Sequence, residues 1–212
     1  MGPRCARLAI PRKRWQVSGH RFHRCGRGGG ARSPRNFGIV IGMKGFAEAL
    51  GGGDRRSIGR ANFVVAQVRR DSARFEELWT CLYHSDALVR MRAADALEKL
   101  SRDNADSFDA HKHELLSRSP DDGTPETRWH LIAIASRLTL NASEAEELCA
   151  YLDHSLRHDP SRIVKVMSLQ SAHALASRHP ALTNNLRRML KYARLTPWPS
   201  VSARARKLGA LP

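Results

Sequence analysis

The chain has 212 residues, 42% of them hydrophobic and 26% charged, with 36 Lys and Arg against 20 Asp and Glu for a formal net charge of +16. That length suits one or two domains, and no apolar run approaches the roughly 20 residues a bilayer-spanning helix needs, which excludes a helical membrane protein. A secretory signal is missing as well, because the apolar stretch Phe37 to Met43 is too short and sits too far in.

The charge is unevenly spread. Residues 1–42 carry ten basic and no acidic residues, residues 43–159 carry 16 basic against 20 acidic, and residues 160–212 carry ten basic and none acidic. The first segment also holds the Gly-rich run from Gly26 to Gly30 beside Ser33 and Pro34. Such a composition cannot bury a core, so it reads as a disordered basic arm. Three readings of the arm stay open: a targeting peptide, since transit sequences are Arg-rich and acid-poor; a nucleic-acid-touching tail; or an upstream extension ahead of a foldable part that begins at Met43 and Lys44.

From there on, apolar residues recur three, four and seven apart, the spacing of one stripe on a helix. Ser57 to Val68 carries Ala61, Val65 and Val68 in this way. A second stretch follows with Phe75, Leu78, Trp79 and Leu82. Asp86 to Leu100 is the clearest copy, with Val89, Ala93, Ala96, Leu97 and Leu100 on one stripe. Phe108, Leu115 and Leu116 make the next intervening stretch. The stripe then returns as Thr127, Leu131, Ile134, Ala135 and Leu138, and again as Val164, Ser168, Ser171, Ala172 and Leu175. Leu148, Leu152 and Leu156 lie between those two, and Leu186, Met189 and Leu190 follow on a helix expected from about Ala181 to Leu195. A last partial copy holds Val201, Ala205 and Leu208. The successive separations of Val89, Thr127, Val164 and Val201 are 38, 37 and 37 residues.

Helix starts support these boundaries. Asp86, Thr124 and Ser161 sit three residues before the aligned Val89, Thr127 and Val164, where side-chain oxygens accept from free helix N–H groups. Pro125 follows Thr124 at a first helical position, where its missing N–H costs nothing. Ser143 with Glu146 predicts a capping box for the intervening helix.

Two helices per period, neither able to bury its face alone, define an α-solenoid in which neighbouring pairs share one core. On Asp86, Val89, Arg90, Ala93, Ala96, Leu97, Leu100 and their copies, the chain resembles the HEAT and armadillo-type helical repeats over about residues 46–210. A tetratricopeptide reading fails because its tryptophan, glycine and tyrosine pattern is absent. The resemblance implies an all-α fold, a right-handed superhelix of about four to five stacked helical pairs, with residues 43–212 as the solenoid domain and residues 1–42 as the arm. It also implies that the second helix of each pair lines the concave side.

Two candidate surfaces emerge. Two residues after the aligned positions stand Met91, Trp129 and Val166, with Arg92, His130 and Met167 beside them; an aromatic or methionine there would anchor a partner protein, unless it packs inward as core. Met91, Trp129, His130 and Val166 are therefore the partner-binding candidates. Arg187, Lys191 and Arg194 share a helix face with Arg188 at its edge, and Arg204 and Lys207 repeat the spacing on the last helix. These six are the candidates for anion or nucleic-acid binding, weakening as salt rises, or else a solubilising cap on a terminal repeat. Arg90, Arg128 and Lys165 form a further ladder, which the resemblance makes structural, bonding neighbouring units.

No catalytic, cofactor-binding or metal-ligating set is legible. His154 and His158 are four apart at a helix end but lack a third ligand, His111 and His113 point apart, and His20, His23 and Cys25 lie in the arm with irregular spacing. The glycines Gly38, Gly42 and Gly45 lack a dinucleotide fingerprint's strand, turn and helix order, and no GxxxxGK[ST], GxSxG, HExxH or CxxC occurs. Cys5, Cys25, Cys81 and Cys149 show no pairing motif, as expected of free thiols in a reducing cytosol. The expectation is a cytoplasmic, non-catalytic scaffold without cofactor that binds another protein or peptide. The alternative is a nucleic-acid-binding protein resembling the HEAT-like alkylpurine DNA glycosylases in fold and charge, and an enzyme of the bilin-lyase type remains a third class by fold analogy alone.

Overall fold

The computed structural model describes residues 45–54, 57–117 and 123–210, all within the unit Gly42–Pro212. The arm, with Cys5, Cys25, His20 and His23, and the proposed start at Met43 and Lys44 lie outside the described residues. The described part is helical throughout and contains α1 Phe46–Leu50, α2 Ala61–Arg70, α3 Phe75–Thr80, α4 Ala87–Asp103, α5 Lys112–Ser117, α6 Pro125–Ala135, α7 Ala142–His158, α8 Arg162–Arg178, α9 Thr183–Arg194 and α10 Pro199–Leu208.

These helices make two rows. The even-numbered helices lie side by side, α2 on α4, α4 on α6, α6 on α8 and α8 on α10, and each odd-numbered helix packs on the even one that follows it. Five pairs result among the described residues. Every apolar position of the repeated stripe is buried: Ala61, Val65 and Val68 in α2, Val89, Ala93, Ala96 and Leu97 in α4, Leu131, Ile134 and Ala135 in α6, Val164, Ala172 and Leu175 in α8, and Val201, Ala205 and Leu208 in α10. Ser168 occupies the same stripe in α8 and is satisfied within its own helix, its hydroxyl donating to Val164 O at 2.9 Å.

The odd row is less regular. α3 runs on into a tight 3₁₀ turn over Cys81–Tyr83, and α5 is preceded by another over Asp106–His111. Such turns are short forms of helix with poorer hydrogen-bond geometry. They hold because aromatic residues lock them together: Phe75 meets Phe108 edge-on at 5.0 Å, and Trp79 stacks on His111 at 3.9 Å. The Trp79 indole N–H donates to Glu114 at 3.2 Å.

The helix starts follow local chemistry, with two differences from expectation. Asp86 accepts from Leu88 N–H, and Thr124 accepts from Thr127 N–H with Pro125 in the first turn. Ser161 occupies the start of α8 but makes no side-chain cap; its own N–H donates instead to Asp159 at 2.7 Å. The capping box of α7 is Asn141 with Glu144, two residues before the expected Ser143 and Glu146. The apolar flanks decide between the two, since Leu140 just before Asn141 and Ala145 just after Glu144 are both buried, as a hydrophobic staple requires.

Cations fasten the units to each other. Arg92 is 2% exposed, and its guanidinium donates to Leu50 O at 2.7 Å, Gly52 O at 2.6 Å, Asp54 O at 2.9 Å and Ser57 O at 3.1 Å. It gathers the C-terminal carbonyls of α1 and the loop to α2 onto α4. Gly59 lies so close to it that a Cβ there would sit 2.6 Å from the Arg92 guanidinium carbon, and its φ of +54° already favours glycine. Farther along, Arg137 reaches the buried Glu98 at 2.7 Å from the next unit, and Arg178 at the end of α8 donates to Ser136 O and Leu138 O at the end of α6.

Candidate functional site

The ladder Arg90, Arg128 and Lys165 is structural, but only Arg128 hydrogen-bonds to a neighbouring unit. Arg90 donates to His84 O at 2.6 Å and Ser85 O at 2.8 Å, the end of the preceding helical segment in its own unit. Lys165, 1% exposed, does the same for α7, donating to Leu156 O at 2.7 Å and Arg157 O at 2.9 Å, with the Trp198 ring 4.5 Å away. Burial pulls the Lys165 ammonium down, partly offset by Asp159. Arg128 alone hydrogen-bonds into the next unit, forking onto Asp159 at 2.9 and 3.1 Å.

Of the partner-binding candidates, Met91, Trp129 and Val166 are each partly exposed on successive even-numbered helices, and Trp129 and Val166 also pack against the core. His130 is withdrawn from that surface. It is 5% exposed, turned toward α4, and its Nδ1 has no hydrogen-bond partner. Burial pushes its imidazole down to about 4, with Asp95 and Glu98 pulling weakly the other way, so it is neutral near pH 7. One helical position separates Trp129 from His130, about 100° of rotation, and that suffices to move the side chain from the outer face into the α4–α6 seam. Arg92, which the sequence places beside Met91, is likewise inside. Phe63 stands two residues after Ala61 and is 44% exposed, with the Arg60 guanidinium 4.3 Å from its ring centroid. It continues the same ladder upstream; only the loose fit of the first copy hid it.

The basic candidates divide between the rows. Arg187, Arg188, Lys191 and Arg194 are exposed on α9 in the odd row, where Arg187 and Arg188 donate back to Asn184 at 3.2 Å and Asn185 at 3.1 Å. Arg204 and Lys207 belong to α10 in the even row, and there they line a groove of about 560 Å³ against α8 together with Arg162, Ile163 and Val166. Two residue sets that the sequence presented as separate surfaces, Val166 from one and Arg204 and Lys207 from the other, thus meet in one place.

The remaining reactive side chains are occupied or inert. Cys81 and Cys149 are buried free thiols, and burial, with Glu77 nearby, pushes Cys81 up to about 11. The His154 and His158 rings lie 4.6 Å apart, yet no group of three or more His, Cys, Asp or Glu fit for a metal ion is present among the described residues. No described helix is long and apolar enough to cross a membrane.

Paired helices stacked in two rows, fastened by side chains that run from unit to unit, define a helical-repeat fold. The chain belongs to the HEAT repeat domain family, whose pattern matches residues 53–208. Comparison with curated proteins and with solved structures gave no match.

Proposed function

We propose that this HEAT repeat protein is a non-catalytic scaffold that binds another protein through the solvent-facing side of its even-numbered helices, the row expected to line the concave face. The observation that supports it is the ladder Phe63, Met91, Trp129 and Val166, one large apolar side chain per helix on α2, α4, α6 and α8, each left partly open to solvent. Large apolar side chains repeated along a solvent-facing row are what a partner surface needs, since aromatic and methionine anchors dominate binding energy. Trp129→Ala tests it directly. Capture of the partner by the full chain, assayed by cross-linking and affinity purification from its own cells, should fall at least tenfold. Because Trp129 is only partly buried, the variant should lose roughly 1–2 kcal/mol of stability rather than the 3–5 of a fully buried tryptophan. Unchanged capture would sink the reading.

A second reading is nucleic-acid binding through α9. It is favoured by Arg187, Arg188, Lys191 and Arg194, which are all exposed and join no ion pair among the described residues. An oligonucleotide should then bind the full chain with an affinity that drops about tenfold or more from 50 to 200 mM salt. Arg187→Gln with Lys191→Gln should flatten that dependence; binding indifferent to both substitutions would rule α9 out.

A further inference from the structure

The groove between α8 and α10 has a composition unlike the rest of the even row. Its floor is aliphatic: Ile163 is 45% exposed, Val166 is half-buried and Ala203 is exposed. Its rim is cationic, formed by Arg162, Arg204 and Lys207. No carboxylate lines the groove, residues 160–212 contain no Asp or Glu, and Arg204 bonds to the neutral Gln170 at 3.0 Å. Arg162 is moreover the first residue of α8, a helix with no acidic residue in its first turn. A cation there opposes the helix dipole rather than complementing it.

We propose that this groove docks an acidic amphipathic helix of a partner protein; the inference rests on the protein-binding reading above and names the partner's chemistry. Ser200 to Lys207 covers about two helical turns, roughly 10 Å, which matches an i, i+4 pair of aliphatic side chains laid between α8 and α10. Glu or Asp residues flanking that pair would meet Arg162, Arg204 and Lys207. A volume of about 560 Å³ is ample for such a pair, and helix-in-groove docking is the recognition mode that two packed helices offer. Nucleic acid fits less well. Single strands bind by stacking bases on aromatic rings, and no aromatic residue lines this groove, while a duplex backbone gains nothing from the Ile163, Val166 and Ala203 floor.

The test uses the full chain and fluorescence anisotropy with a labelled helical peptide of about 16 residues, long enough to hold some helix, bearing Leu at helical i, i+4 spacing, Glu flanking that pair and Ala elsewhere to avoid like-charge repulsion along the helix. The expected result is saturable binding that weakens at least tenfold with Ile163→Asp, with Lys207→Glu, and when the peptide's Glu are replaced by Gln. Ile163 and Lys207 are exposed, so both variants should keep the wild-type melting curve; Ile163→Ser stands in if the Asp variant does not. Absence of binding overturns the proposal. So does binding that ignores Ile163→Asp and is matched by an oligonucleotide, since that is the behaviour of a general polyanion surface. If the peptide fails while Trp129→Ala still abolishes partner capture, only the groove assignment falls; if capture is also unaffected by Trp129→Ala, the protein-binding reading falls with it.

Discussion

The stretch up to Asp159 and the stretch after it use the same helical pair and opposite electrostatics. In the first, cations meet carboxylates: Arg69 with Asp103, Arg74 with Glu77, Lys99 with Asp95, Lys112 with Glu144, Arg128 with Asp159 and Arg157 with Asp153, while Arg102 and Arg137 converge on Glu98. In the second, cations with acceptors find only neutral ones. Lys165 and Arg178 take backbone carbonyls, and Arg187, Arg188 and Arg204 take side-chain amides. Most basic residues of helices α2–α7 thus serve the fold, whereas those on α9 and α10 form no ion pair among the described residues. The +16 total obscures this division entirely.

The sharpest way to break that comparison is Arg128→Ala. It strands Asp159, whose side chain is 2% exposed, without its cation. Removing one partner of a buried pair costs roughly 3–5 kcal/mol, and urea denaturation should show it as a loss of that order. A loss under about 1 kcal/mol would mean that Asp159 is rehydrated and the unit boundary is softer than described.

Acid should act next, and on the first stretch alone. His130 is neutral in the fold with its value pushed to about 4, while the unfolded chain binds the proton from about 6.5 downward. Stability from this group is therefore complete above pH 6.5 and is lost as pH falls toward 4, by up to roughly 3 kcal/mol. Glu98 adds to the acid side. Burial alone would raise it, but hydrogen bonds from Arg102 and Arg137 outweigh that and hold it below the usual carboxylate range, so its contribution disappears only at lower pH. His130→Leu should flatten the melting temperature between pH 6.5 and 4.5. A wild-type curve already flat over that window would refute the buried neutral imidazole.

Much of the fold was legible because burial in a solenoid repeats with the helix period. Val89, Thr127, Val164 and Val201 are separated by 37 or 38 residues, and all four are buried. What escaped was set by the backbone or by rotation about a helix. Arg92 binds carbonyls 35 to 42 residues upstream, and a carbonyl leaves no mark on the sequence. Asn141 with Glu144 and Ser143 with Glu146 satisfy the same capping pattern, and only the buried staple separates them. His130 and Trp129 are neighbours in the chain with rings 3.4 Å apart, yet His130 is buried and Trp129 is partly exposed. The α8–α10 groove joins residues about 40 apart, and the sequence offered each half without the packing that unites them.

The central claim, that the charge on α9 and α10 is not needed for the fold, is tested most directly by urea denaturation of the chain carrying Arg187→Gln, Lys191→Gln, Arg204→Gln and Lys207→Gln together. The account predicts a midpoint within about 0.5 kcal/mol of wild type, as for surface changes away from structural contacts, or slightly above it as repulsion is relieved. A loss of about 2 kcal/mol or more would contradict it, placing these residues in the fold rather than on a surface kept for a partner.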